Sequence, residues 1–135
     1  MIAPSLVHLV RGRSAQACEY CHLPEGVSET PFQMDHIIAQ KHGGPTIEPN
    51  LAWACFYCNN AKGSDLAGLD PLTGQLTRLF NPRTDLWSEH FRWSGAELVG
   101  TTDVGRVTVV VLRINRAEIV ARRTVLMAEG AYTKP

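Results

Sequence analysis

Apolar and polar positions change rhythm several times along the chain. In residues 5–13, Leu6, Val7, Leu9 and Val10 share one face of a short helix with Ser5 as its N-cap, although Val and Leu also suit a strand. Residues 14–22 turn, and residues 24–31 are loop by composition. Residues 32–38 form a short apolar run that reads as a strand. Gly43, Gly44 and Pro45 mark a loop, after which Pro49 or Asn50 opens a short helix through Leu51, Ala52, Trp53 and Ala54. A second short helix follows and ends near Gly63.

Beyond residue 63 the pattern loosens. Asp70-Pro71, Gly74 and Asn81-Pro82 break residues 64–90 into irregular structure with short strands that wraps the core. Residues 91–93 and 97–99 flank Ser94-Gly95-Ala96 and read as a β-hairpin. In residues 103–114 the β-branched run from Val107 admits a strand. Val104, Val107, Val111 and Ile114 keep helical spacing, and Thr101 and Thr102 offer caps, so a helix is favoured. Asn115 looks like the cap of a last helix, which Gly130 ends.

Composition adds limits. A chain of 135 residues, 44% apolar and 19% charged, suits a single domain over residues 1–135 with a modest core that a structural metal would help. The net charge of zero argues against a strongly basic nucleic-acid binder, but the charge is uneven. Residues 1–90 hold six Lys/Arg against nine Asp/Glu, and residues 91–135 hold seven against four. Arg113, Arg116, Arg122 and Arg123 in the basic part either meet phosphates or lie on solvated helix faces. No signal peptide is evident, since Pro4, Ser5 and His8 interrupt the first apolar stretch and Arg11 and Arg13 follow it. No apolar run approaches the roughly 20 residues of a membrane span. The expectation is a soluble, cytoplasmic protein without membrane contact. Its oligomeric state, monomer or homodimer, is left open.

In a reducing compartment, four cysteines in two Cys-x-x-Cys pairs point to metal more than to disulfides. Thirty-three residues separate the pair Cys18 and Cys21 from the pair Cys55 and Cys58. Two such pairs close a four-thiolate zinc site with no open position, which is structural. The spacing exceeds that of a compact zinc ribbon, so the insertion between the pairs is expected to carry function. It holds Asp35, His36 and Asn50. On a strand, adjacent Asp35 and His36 point to opposite faces. That favours a division of labour in which one side chain binds a hard divalent ion and the other activates water near neutral pH.

Asp35-His36-Ile37, Gly43-Gly44, Asn50-Leu51, Cys55-x-x-Cys58-Asn59 and Lys62-Gly63 occur in this order, and residues 18–63 strongly resemble the HNH endonucleases. The resemblance implies an α+β fold: a small ββα-metal core over about residues 14–65 with a four-cysteine zinc site, followed by an extension over 66–135 with a hairpin and two helices. It implies that His36 is the general base, that Asp35 and Asn59 hold a catalytic Mg²⁺ or Mn²⁺, and that Asn50 orients the loop carrying His36. By this resemblance the chain would be an H-N-N variant of the zinc-containing subgroup. The implied reaction is hydrolysis of DNA phosphodiester bonds, by nicking or double-strand cleavage, leaving 5′-phosphate and 3′-hydroxyl ends. Lys62 either meets a phosphate or sits at a helix end beside carbonyls. Residues 79–91 resemble an extension in a bacterial branch of the family, with Arg83 and His90 as candidate substrate contacts. Two rivals remain: a non-catalytic zinc-stabilised nucleic-acid-binding module, and a nuclease acting on RNA or branched structures.

Overall fold

A computed structural model describes residues 2–132, a mixed α/β structure of five α-helices and three two-stranded antiparallel sheets among those residues. The chain divides into two compact units, Met1–Asp65 and Leu66–Pro135.

The first unit opens with helix α1 (Pro4–Arg13), capped at Ala3 and so starting two residues earlier than the Ser5 cap predicts. Pro4 takes the first helical position, where its fixed φ fits and its missing N–H costs no bond. Strand β1 (Gln33–His36) pairs with β2 (Leu51–Ala54) in antiparallel register, Asp35 opposite Ala52 and His36 opposite Leu51. The expected helix over residues 51–54 is therefore a strand. Pro49 instead sits in a single 3-10 turn, Glu48–Asn50, and all four residues of β2 are buried. Both edges of β2 find partners. One edge meets β1, while on the other the Glu19 N–H donates to the Trp53 carbonyl and the Trp53 N–H donates to Glu19 Oε2. Such complete backbone pairing outweighs the weak helical signal of Leu-Ala-Trp-Ala.

Helix α2 (Phe56–Lys62) follows directly, capped by Cys55, whose sulfur accepts from the Cys58 N–H. Gly63 ends it at φ 51°. The loop between β1 and β2 returns on itself around Gly44. A Cβ there would fall 1.7 Å from the Ile38 carbonyl oxygen, so only glycine lets the chain close at this point.

The second unit begins with a hairpin of β3 (Ala67–Leu69) and β4 (Leu76–Arg78). A short helix α3 (Trp87–His90) leads into the hairpin of β5 (Phe91–Ser94) and β6 (Glu97–Gly100), close to the expected positions. Helix α4 (Asp103–Val111) resolves the strand-or-helix ambiguity. Thr102 caps it by accepting from the Gly105 N–H, and Val104, Val107 and Thr108 face inward. Gly105 is obligatory, because a Cβ would lie 2.0 Å from the His90 carbonyl oxygen. Helix α5 (Ala117–Ala128) starts after Arg116 rather than at an Asn115 cap. Asn115 serves elsewhere. Its side chain accepts from the Leu98 N–H and donates to the Leu98 carbonyl, fastening the loop before α5 to β6. Arg123, expected on a solvated face or against phosphate, is 2% exposed. It donates to the Ala96 and Ile114 carbonyls and lies over the Trp93 ring, so it is a core residue. No helix of the described residues is long and apolar enough to cross a membrane.

Candidate active site and metal centre

Two turns bring the cysteines together. In each, the backbone N–H of the second cysteine donates to the sulfur of the first, Cys21 to Cys18 at 3.5 Å and Cys58 to Cys55 at 3.4 Å. All four sulfurs are buried, unbridged, and within 4.8 Å of one another, with Cys21 and Cys55 at 3.8 Å. A tetrahedral zinc with Zn–S bonds of about 2.3 Å sets its sulfurs about 3.8 Å apart, so this donor set fits the ion. Neighbouring sulfurs, Cys18 foremost, push the Cys55 and Cys58 thiols up, and burial adds to this. Four thiolates therefore require a cation among them. The cage ties the turn before β1 to the start of α2, and the sulfur that caps α2 belongs to it.

Strand alternation separates Asp35 from His36. Asp35 faces inward, 3% exposed, and His36 is half-buried. An open cavity of about 290 Å³ is lined by Met34, Asp35, His36, Ala39, Gln40, Asn59, Gly63 and Ser64. Asn59, half-buried on α2, donates from Nδ2 to Gln33 Oε1, which engages its amide nitrogen and leaves its oxygen. The structure thus brings three of the four expected residues, His36, Asp35 and Asn59, to one cavity.

The fourth, Asn50, lies behind it. Its Oδ1 accepts from the Ile38 N–H at 2.9 Å, and its Nδ2 donates to the Ile38 and Pro45 carbonyls at 3.0 and 2.8 Å. One buried amide thereby closes both ends of the loop after His36. His42 is exposed and its Nε2 contacts the Ser64 carbonyl oxygen, a link between this loop and the end of α2.

Lys62 ends α2 beside carbonyls, the second of its two expected places, although these carbonyls come from His36 and Ile37 and not from the helix. It is 2% exposed, and its ammonium donates to Asp35 Oδ1 (3.1 Å) and to the His36 and Ile37 carbonyls (3.2 and 3.1 Å). An amine so enclosed does not meet a phosphate. It neutralises Asp35 and pins the end of β1 from below. The other Asp35 oxygen accepts from the Tyr20 hydroxyl at 2.6 Å. Burial drives the Asp35 carboxyl up, while Lys62 and the Tyr20 hydrogen bond pull it back. Burial, then the Asp35 charge, pushes the Tyr20 hydroxyl up, which keeps it a donor. Since an ionised carboxylate has about four acceptor positions, two remain on Asp35. Tyr20 stands between Cys18 and Cys21, so this chain of contacts runs from the cysteine cage to β1. Its role escapes sequence reasoning, although an aromatic inside a Cys-x-x-Cys is a visible signal.

His90 and Arg83 belong to the second unit. His90 Nδ1 lies 2.6 Å from Thr102 Oγ1, and the ring stacks edgewise on Phe80. The Arg83 backbone N–H donates to Asn81 Oδ1 in a local turn.

Against known proteins, a family model described as HNH endonuclease matches residues 18–65. No curated protein and no solved structure matches the chain.

Proposed function

From the HNH match over residues 18–65 we propose that the protein is a metal-dependent endonuclease that hydrolyses phosphodiester bonds in DNA. An HNH domain points to a nuclease-type function. The observation that carries the finer reading is one cavity whose lining includes an imidazole, an amide and a carboxylate, His36, Asn59 and Asp35, in the unit that also holds a buried four-sulfur cage.

His36 takes a proton from water. The water oxygen then forms a new bond to phosphorus, the bond from phosphorus to the 3′ oxygen breaks, and the 3′ oxygen leaves to be protonated. The products carry a 5′-phosphate and a 3′-hydroxyl. Asn59 Oδ1 and the free acceptor positions of Asp35 would hold a divalent cation. So few oxygen donors suit Mg²⁺ or Mn²⁺, which keep several waters. Bound there, the cation supplies positive charge to the phosphate as its negative charge develops. Asn50 holds the loop, and Lys62 holds the backbone under His36. The four cysteines hold zinc as a frame.

The test incubates purified, zinc-loaded protein with supercoiled plasmid in Mg²⁺, in Mn²⁺, or in EDTA, beside His36→Ala. Metal-dependent nicking should appear and, in the variant, fall by at least the roughly 10²-fold that a lost general base costs. Undiminished nicking by His36→Ala would remove that residue from the chemistry. Cleavage of RNA or branched substrates without plasmid nicking would change the substrate. Binding without cleavage of any nucleic acid would favour a non-catalytic module.

A further inference from the structure

Among the described residues, the His36 ring has one side-chain partner: Nε2 lies 2.8 Å from Thr46 Oγ1. That hydroxyl is itself placed from two sides. Gln40 Nε2 donates to the same oxygen at 3.2 Å. Asn50 Nδ2 pins the carbonyl of Pro45, the residue just before. Gly44, where no side chain fits, allows the loop to bring Thr46 back over the end of β1. Gly-Gly-Pro-Thr thus delivers a hydroxyl to one ring nitrogen.

We propose that Thr46 is a positioning residue for the general base: it accepts a hydrogen bond from His36 Nε2–H and so reserves Nδ1 for the proton of the attacking water. The proposal rests on the reading of His36 as base. A hydroxyl oxygen has two lone pairs, and Gln40 and His36 fill them. The reverse arrangement, Thr46 O–H donating to Nε2, puts the proton of the neutral ring on Nδ1. The Nε2 lone pair is then engaged and Nδ1 has none, so the ring has no site for a proton from water. Only the Nε2–H tautomer gives a neutral imidazole that is both held and basic. Thr46 acts through His36 and touches no reacting atom, so it is not a catalytic residue. Its signal in the sequence is weak, because a threonine ten residues after a histidine carries no pattern until the loop closes.

The experiment reads the ring directly. Long-range ¹H–¹⁵N NMR on the zinc-loaded full chain, near pH 8, compares wild type, Thr46→Val and Thr46→Ser. Thr46 is half-buried on a loop, and Val matches it in size while removing the hydroxyl; Thr46→Ser keeps the hydroxyl and controls for any effect on the fold. The wild type and Thr46→Ser should show a protonated Nε2 and a pyridine-like Nδ1 at His36, and Thr46→Val should show an average of both tautomers. Plasmid cleavage by Thr46→Val should lose about 3- to 10-fold in kcat, the worth of one neutral hydrogen bond, with KM nearly unchanged. Thr46→Ser should restore it. A protonated Nδ1 in the wild type, or identical ring signals in Thr46→Val, would overturn the proposal. So would an unchanged kcat in that variant. If the wild type cleaves nothing, the nuclease reading falls, while the ring signals alone still decide whether Thr46 holds the tautomer.

Discussion

Residues 1–65 and 66–135 are nearly equal in length, yet their interiors differ in kind. The first unit buries four thiols, a lysine, an aspartate and an asparagine among its apolar side chains. The second holds no thiol: Phe80, Phe91, Leu98, Val107, Leu112 and Ile114 fill it, with Asp70, Thr108 and Arg123 buried and hydrogen-bonded among them. Apolar packing tolerates small errors of position. A buried polar group tolerates them poorly, because a misplaced partner leaves it unsatisfied. Both units bury such groups, so the four thiols are what set the first apart: they need an ion at one point, and they lie in the unit that carries His36.

The largest effect should come from metal. Structural zinc supplies on the order of 10–16 kcal/mol to small folds, more than many whole domains hold. Chelation under reducing conditions should therefore unfold residues 18–65 and leave hydrogen-exchange protection in residues 91–128 intact. Loss of protection in both segments together would erase the contrast between the units. Next is Lys62→Met, which strands the Asp35 charge and should cost ~3–5 kcal/mol in urea unfolding. Replacing the pair by Lys62→Met with Asp35→Leu should recover most of that, whereas a double variant as unstable as the single one would show that packing, not charge, was lost. The smallest effect lies in the second unit. Arg106 donates twice to Asp70 and holds its carboxyl well below the usual carboxylate range. A depressed folded value gives stability that is complete above the ordinary value of about 4 and is lost as pH falls below it. Unfolding of residues 66–135 should show an acid-dependent loss of melting temperature that Asp70→Asn lacks. An equal slope in that variant would assign the acid sensitivity elsewhere.

The legible part was the part with fixed chemistry and short spacing. Cys18, Cys21, Cys55 and Cys58 announce a cage because two residues between thiols suit one ion. The β5–β6 hairpin and α4 were readable from Ser94-Gly95-Ala96 and the Thr102 cap. Leu51–Ala54 was not, because a strand buried on both faces loses the alternation that identifies it. Asn115 looked like a cap because its amide suits one, but tertiary contact with Leu98 claimed it first. A helix-end Lys62 beside carbonyls is legible, but its burial is not: lysine is almost never fully buried unless paired, and its partners lie 25 to 27 residues away.

An ammonium has three N–H groups, and Lys62 commits all of them. Its nitrogen has no open direction for an electrophile while the unit is closed. Amine-acylating reagents that mark exposed Lys41 within minutes should reach Lys62 only when α2 lifts away from β1. The ratio of the two labelling rates then serves as a clock for local opening, read at a single atom beneath the cavity.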